Sequence, residues 1–366
     1  MRVRTAALTA LVVLLLVVPG LAAPAGATGA SGASEASGAP AAAAAAAPLW
    51  ATYRLQVVTA NLDGAEHRRS GDKLATVQRV IGSSTPDVVM LQEVCFGQFR
   101  RFVAANRAWI GDGETWRDHF RFQQLRRHHG CGRPGAVQRH GLVLASRHPL
   151  SDVGTHRLPN PGARTPHRFR MLCADVAVRG ALLRFADDAV RACTLQLRAG
   201  RGRRTGAGPA RRAQAIAARK VLAPIVREDR AAVVLGGDFN AVPTKGTMSE
   251  LYRLSRSGWL TNRRGLFFEA DQTGTYRDRP AGAGPGIEQV VCRLAPRVCR
   301  WGEPTHRSRG RSRKIDYLFF GENRAEPTAT STLLGPREHL GGDVVRSPSA
   351  THDVYLGWAD LALDLR

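Results

Sequence analysis

"VVLGGDFNAVP", residues 233–243, is an apolar run that stops at two glycines and then presents an acid and an amide. A continuous β-branched run bounded by glycines reads as a strand covered on both faces. In open α/β sheets, the groups just past the carboxyl end of such a strand line a ligand crevice. Asp238 and Asn240 are therefore expected to leave the core together, at a place suited to chemistry.

The same pattern recurs outward from this stretch. "TYRLQVVTA" (52–60) reads as a strand ending at "NLDG", "KLATVQRVIG" (73–82) puts Leu74, Val77, Val80 and Ile81 on one helical face, and "PDVVMLQEV" (86–94) is another buried strand. "GLVLASRHPL" (141–150), "RMLCADVAV" (170–178) and "LLRFADDAVRACTLQL" (182–197) read as sheet, the last two as a hairpin. "ARRAQAIAARKVLAPIV" (210–226) reads as a helix that Pro224 ends or kinks in its last turn, and "RKIDYLFFG" (313–321) and "VYLGWADLALDL" (354–365) complete the strands. Strands alternating with helices, with several hairpins among them, predict an α/β sandwich rather than a purely parallel sheet.

The ends and the cysteines bear on the compartment. Arg2 and Arg4, the apolar run Ala6 to Val18 and the small residues Ala25-Gly26-Ala27 have the order of a secretory signal over residues 1–27. Residues 28–48 are Ala, Gly, Ser and Pro and read as a linker, leaving 49–366 as one catalytic domain. No cysteine closely follows the apolar run, which argues against a lipid anchor; the expectation is a secreted, extracellular monomer with no stable membrane partner after cleavage. All six cysteines lie in the exported part, where disulfides form, and none has the C-x-x-C spacing of a zinc site. Cys173 and Cys193 sit on strands expected to be neighbours, so the pairs Cys173–Cys193, Cys95–Cys131 and Cys292–Cys299 are expected, although six cysteines permit other connectivities.

Formal net charge is +23, and all but four of the 53 basic residues are arginine. Such a surface attracts polyphosphates, anionic lipid or nucleic acid. Arg198, Arg201, Arg203, Arg204, Arg211 and Arg212 follow Gln196, while Arg307, Arg309, Arg311, Arg313 and Lys314 precede Asp316, so both loops are expected to rim one site.

Polar residues end the apolar strands throughout: Asn61 and Asp63, Glu93, Asp238 and Asn240, Asp316 within "KIDYLFF", and His352 before "DVYLGW". Converging carboxylates and carboxamides offer hard oxygen ligands that suit Mg²⁺, Mn²⁺ or Ca²⁺. An aspartate with a histidine adds a proton acceptor and a donor, the set needed to cleave a phosphoester with water.

In their order, "VVTANLDG", "PDVVMLQEV", "GLVLASRHPL", "GGDFNAVP" and "KIDYLFF" resemble the endonuclease/exonuclease/phosphatase superfamily over about 49–366. The resemblance implies a four-layer α/β sandwich, two face-to-face mixed β-sheets flanked by helices, with a divalent-metal phosphoesterase site at one end. It implies that Glu93 is the principal metal ligand, helped by Asn61 and Asp63. It further implies that Asp238 orients or deprotonates water, that Asn240 binds phosphate, and that Asp316 holds His352 against the phosphate. Two departures stand out: "CTLQL" puts Gln196 where the family carries histidine, and "SATHDVYL" puts Thr351 where it carries aspartate, with Asp353 following His352 instead. The function these features imply is a nuclease acting on DNA or RNA through Arg201, Arg203, Arg204, Arg311 and Arg313, of activity reduced by Gln196 and Thr351. The alternatives are a lipid phosphodiesterase, for which only Trp259 and "GLFFEAD" (265–271) could supply an aromatic membrane contact and both read as core, or an impaired nucleic-acid-binding member.

Overall fold

The apolar run around 233–237 forms the strand Ala232–Asp238, every residue of it buried. A computed structural model of the chain describes residues 50–64, 70–111, 113–128, 131, 138–161, 168–178, 189–200, 206–228, 231–252, 265–270, 303–308, 311–323, 340–346 and 352–364. All of them belong to the unit Pro48–Arg366. The expected signal and linker, residues 1–48, lie outside the described residues, as do Thr351, Trp259, Cys292, Cys299, Arg201, Arg203, Arg204 and Arg309.

The strands are β1 (Trp50–Asn61), β2 (Val88–Cys95), β3 (Phe120–His128), β4 (Gln138–Ser146), β5 (Leu150–Arg157), β6 (Arg170–Ala177), β7 (Ala189–Gln196), β8 (Ala232–Asp238), β9 (Phe267–Glu269), β10 (His306–Ser308), β11 (Arg311–Arg313), β12 (Asp316–Gly321), β13 (Leu340–Val345) and β14 (Val354–Asp364). The helices are α1 (Ser70–Ser84), α2 (Phe96–Ala105), α3 (Trp116–His119) and α4 (Ala207–Arg227). One six-stranded sheet has the order β13-β14-β1-β2-β4-β3, a second the order β5-β6-β7-β8-β12-β9, and β10-β11 form a separate ribbon. Both large sheets are mixed, since β1–β2 and β7–β8 run parallel while β2–β4 and β6–β7 are antiparallel.

Burial explains the stacking. Alternate residues of β1, β2 and β4, such as Val57, Met90 and Leu144, meet Ala174, Ala192, Val234 and Leu318 of the second sheet in a shared core. The other face of the first sheet packs Val58, Val89 and Val143 on Val77 of α1 and Phe102 of α2. The outer face of the second packs Leu195, Leu235 and Phe319 on Ala215, Ala218 and Leu222 of α4. Helices, sheet, sheet and helix give the four-layer α/β sandwich, its inner strands β2 and β8 covered on both faces as their continuous hydrophobic runs require, while the edge strand β5 is mostly exposed.

The two glycines of the opening stretch have separate reasons. A Cβ on Gly236 would meet Met90 Sδ at 2.6 Å and Leu318 Cδ2 at 2.7 Å, so the sheets approach too closely there for a side chain. Gly237 has φ +148°, and a Cβ would lie 2.0 Å from Leu195 O on the neighbouring strand.

Three local expectations are corrected. "GLVLASRHPL" is not one piece of sheet: β4 ends at Ser146 in the first sheet and β5 begins at Leu150 in the second, so the chain changes sheets within it. Of the two outcomes expected of Pro224, ending the helix is excluded, because α4 continues to Arg227; the proline does sit in the last turn, where it removes a single backbone donor. Lys314 does not rim a site, because its side chain is buried 3.0 Å from Glu269 Oε1 and lies over the Tyr355 ring. Cys95–Cys131 and Cys173–Cys193 are bonded as expected.

Candidate active site

Strand register places the first row of polar groups. Gln196, the last residue of β7, pairs with Asp238 of β8, and Asp238 pairs with Asp316 of β12, so three neighbouring strands present these side chains at one end of the second sheet. The first sheet supplies the facing row: Asn61 at the end of β1, Glu93 on β2, and His352 just ahead of β14.

Glu93 reaches this row through a bulge. Leu91 pairs with Val143 and Val94 with Gly141, so Gln92 and Glu93 together oppose Leu142, and Glu93 takes φ +55°. A bulge re-aims one side chain without ending the strand. Asp63 and Asn240 also adopt positive φ, +48° and +49°; left-handed backbone at three non-glycine residues of one site is strain of the kind found where geometry serves function.

The two rows are hydrogen-bonded to each other. Asn61 Nδ2 donates to Asp238 Oδ2 at 3.0 Å and to Glu93 Oε1 at 3.2 Å. Asp238 also accepts the Asn240 backbone N–H on Oδ1 at 2.8 Å and Asn240 Nδ2 on Oδ2 at 2.8 Å. Asn240 Nδ2 additionally donates to Leu197 O at 3.1 Å, so its amide N–H groups hold Asp238 and the end of β7. Gln196 Nε2 donates to Glu93 Oε1. Beneath them, Gln92 Nε2 donates to Thr59 Oγ1 and Thr194 Oγ1, both at 3.0 Å, stitching the sheets together in the core.

His352 Nδ1 lies 3.0 Å from Asp316 Oδ2. Thr305 sets this pair: its Oγ1 accepts the N–H groups of Ile315 and Asp316 at 3.1 and 3.0 Å, and its carbonyl accepts that of Asp353 at 2.8 Å. Asp238, Asp316 and His352 bring ligand-capable atoms within 4.8 Å of one another.

Burial and charge act together on these groups. Burial first, then Asp316 and Glu93, pushes Asp238 up to about 7. Burial alone would lower His352, but the charge and hydrogen bond of Asp316 prevail and raise it to about 9. Burial also pushes Glu93 up. A concentration of buried carboxylates held above their ordinary range fits a divalent cation, whose charge would offset their repulsion.

Of the other expected residues, Asp63 lies close enough for its charge to raise Glu93, while the rest fall outside the centre. Asp63 lies 3.5 Å from Lys73 Nζ, with its backbone N–H on Asn61 Oδ1. Asp353, the acid after His352, is bound by Arg307 and Arg346, each at 2.9 Å. Arg212 pairs with Glu250 at 3.0 Å and Arg211 donates to Arg198 O and Gly200 O, so several loop arginines hold the protein itself. Arg313 pairs across the ribbon with His306, while Arg311 is exposed.

Two residues escaped the sequence reading. Lys73, placed by its helical periodicity, is buried and reaches Asn61 O at 3.4 Å. His306, hidden in an arginine-rich run, stacks edge-on against His352 at 4.6 Å, and burial together with the His352 charge lowers it to about 4.

Solved structures similar to this chain include the following. ANGEL2, described as a 2′,3′-cyclic phosphatase, superposes with a TM-score of 0.52 at 12% identity over 87% of this chain and 99% of that one. TDP2 from C. elegans gives 0.50 at 13% identity over 84% and 75%. An endonuclease/exonuclease/phosphatase from Beutenbergia cavernae DSM 12333 gives 0.48 at 21% identity over 84% and 72%. No curated protein matches the sequence. The family model described as Endonuclease/Exonuclease/phosphatase family matches residues 58–347, which include Asn61, Glu93, Gln196, Asp238, Asn240 and Asp316 but not His352. The chain belongs to the Endonuclease/Exonuclease/phosphatase family.

Proposed function

We propose that this protein is a secreted, divalent-metal-dependent phosphodiester hydrolase acting on nucleic acid. The observation that carries the reading is the meeting of Asp238, Asp316 and His352 within 4.8 Å, beside the Glu93–Asn61 pair. Glu93, with Asn61 and Asp63 beside it, would hold Mg²⁺ or Mn²⁺. Such an ion supplies positive charge to the phosphate.

Asp238 acts as the base. Three hydrogen bonds from Asn61 and Asn240 occupy most of its lone-pair positions and fix the carboxylate, leaving a position for water. As the water oxygen bonds to phosphorus and the ester P–O bond breaks, the water proton passes to Asp238 and the departing alkoxide takes a proton from solvent. His352, raised to about 9, is protonated at neutral pH and donates to a phosphate oxygen while Asp316 holds the other side of its ring. Asn240 is a positioning residue for Asp238.

The arginine-rich surface supports a polyanionic substrate. The two disulfides accord with an oxidising compartment, and among the described residues no helix is long and apolar enough to cross a membrane. The lipid reading loses its best aromatic candidate, since Phe267 is fully buried in β9 and Phe268 packs on the core. A second reading, nucleic-acid binding with little turnover, is favoured by the Gln196 amide resting on Glu93.

Purified protein incubated with DNA, RNA, sphingomyelin and a simple phosphomonoester, with Mg²⁺ and with EDTA, tests the proposal. Cleavage of DNA or RNA that requires Mg²⁺ and is lost in Asp238→Asn supports it. Wild-type rates equal to that variant on every substrate leave the binding reading.

A further inference from the structure

A cavity of about 330 Å³ opens beside Glu93 and Gln196, lined by Arg126, Arg168, Arg198 and Phe169. Asp238, Asn240, Asp316 and His352 are not among its lining residues. Arg126 lies on β3, Arg168 just before β6, and Arg198 just after β7. Given the strand orders, the cavity runs from the site toward the β3 and β5 edges, away from the strands that carry Asp316 and His352.

Its chemistry is one-sided. Glu93 is the only carboxylate among the lining residues. Among the described residues neither Arg126 nor Arg168 forms a salt bridge; Arg126 Nε makes a 3.4 Å contact to His140 Nδ1. Arg198 braces the wall through Asn160 Oδ1 and Pro161 O, both at 3.3 Å. Three arginines lining a small volume, with a half-buried aromatic beside them, match a phosphomonoester of about two negative charges attached to a flat ring. The volume lies at the small end of ligand pockets, which start at about 300 Å³, and so suits one such unit rather than a duplex.

We propose that this cavity binds a second, terminal phosphate of the substrate next to the ester being hydrolysed, so that the protein prefers nucleic-acid fragments ending in phosphate over the same fragments ending in hydroxyl. The inference rests on the phosphodiesterase reading of the neighbouring centre.

Binding is measured by titration calorimetry on Asp238→Asn in Mg²⁺, with thymidine dinucleotides bearing a 5′-phosphate, a 3′-phosphate or hydroxyls at both ends, and with the corresponding uridine set. One phosphorylated end is expected to bind roughly 10–100-fold tighter than the hydroxyl form, the range of a charged hydrogen-bonding group. Adding Arg126→Ala and Arg168→Ala is expected to bring that preference to within about threefold; the exposed Arg168 replaced alone gives a partial loss on an undisturbed fold. Equal binding of all ends, or a preference that survives the double replacement, overturns the proposal. A parallel assay of wild-type cleavage of a hydroxyl-ended oligonucleotide separates the two readings. Cleavage without end preference removes the cavity inference alone, whereas end preference without cleavage removes the hydrolase reading and leaves the cavity as a terminal-phosphate binding site beside an inactive centre.

Discussion

Asn61 Nδ2 and Asp238 Oδ2 stand 3.0 Å apart, and this contact ties the end of β1 in one sheet to the end of β8 in the other. The same amide nitrogen reaches Glu93, so one side chain spaces the two carboxylates that the proposed chemistry needs. Asn61→Ala is expected to lower kcat/KM for oligonucleotide cleavage on the order of 10²-fold, the usual effect of misplacing a reacting group by about 1 Å. An unchanged circular dichroism spectrum would show the fold intact, and unchanged kinetics would remove Asn61 from the site.

Asp238 makes stability depend on pH in a stated direction. Its folded value of about 7 exceeds the ordinary 3.8, so between these values the folded protein binds more protons than the unfolded chain. The Asp238 contribution to stability therefore declines as pH rises through this window. Asp238→Asn lacks that decline. Urea titrations in EDTA are expected to show the variant gaining on wild type from pH 4 to 8. Mg²⁺ is expected to narrow the gap, since a cation beside Asp238 lowers the raised folded value of that carboxyl. A gap that shrinks with pH in EDTA would show that burial does not dominate this carboxyl.

Gln196 occupies the end of β7 beside Asp238 and donates to Glu93. A neutral amide can offer a hydrogen bond to a phosphate oxygen but carries no charge to it. Gln196→His is expected to raise the initial rate on plasmid DNA at saturating Mg²⁺, up to the roughly 10²–10³ that one preorganised donor contributes. A rate unchanged or lowered would mean that the amide is already suited to its place.

Cys173 and Cys193 face each other directly across β6 and β7, with Cα atoms 4.1 Å apart. Non-reducing peptide mapping is expected to recover them as one linked pair. Replacing both by serine is expected to cost about 3 kcal/mol in chemical denaturation, given a sequence separation of 20 residues. Alkylation of either thiol without reductant would contradict the pairing.

Most of the fold was legible in the chain because it rests on local signals. Apolar runs at 57–60, 86–94 and 233–235 mark strands covered on both faces, and the helical spacing of Leu74, Val77 and Ile81 marks a helix packed on one side. The residues that end those strands, Asn61, Glu93, Asp238 and Asn240, stood out for the same reason: polar groups at the close of a buried run must leave the core or find partners. What each of them touches was decided by the stacking of two sheets whose strands are far apart in sequence. A bulge turns Glu93 toward Asn61, and antiparallel register sets Asp316 beside Asp238. The same stacking buries Lys73 and brings His306 onto His352, although helical spacing and an arginine-rich run had concealed both. It also buries Lys314 against Glu269 and pairs Arg307 with Asp353, charges that their position before Asp316 assigned to a substrate. Periodicity tells which way a side chain leaves its own strand or helix, whereas its partner depends on long-range register and sheet spacing, which only the tertiary structure sets.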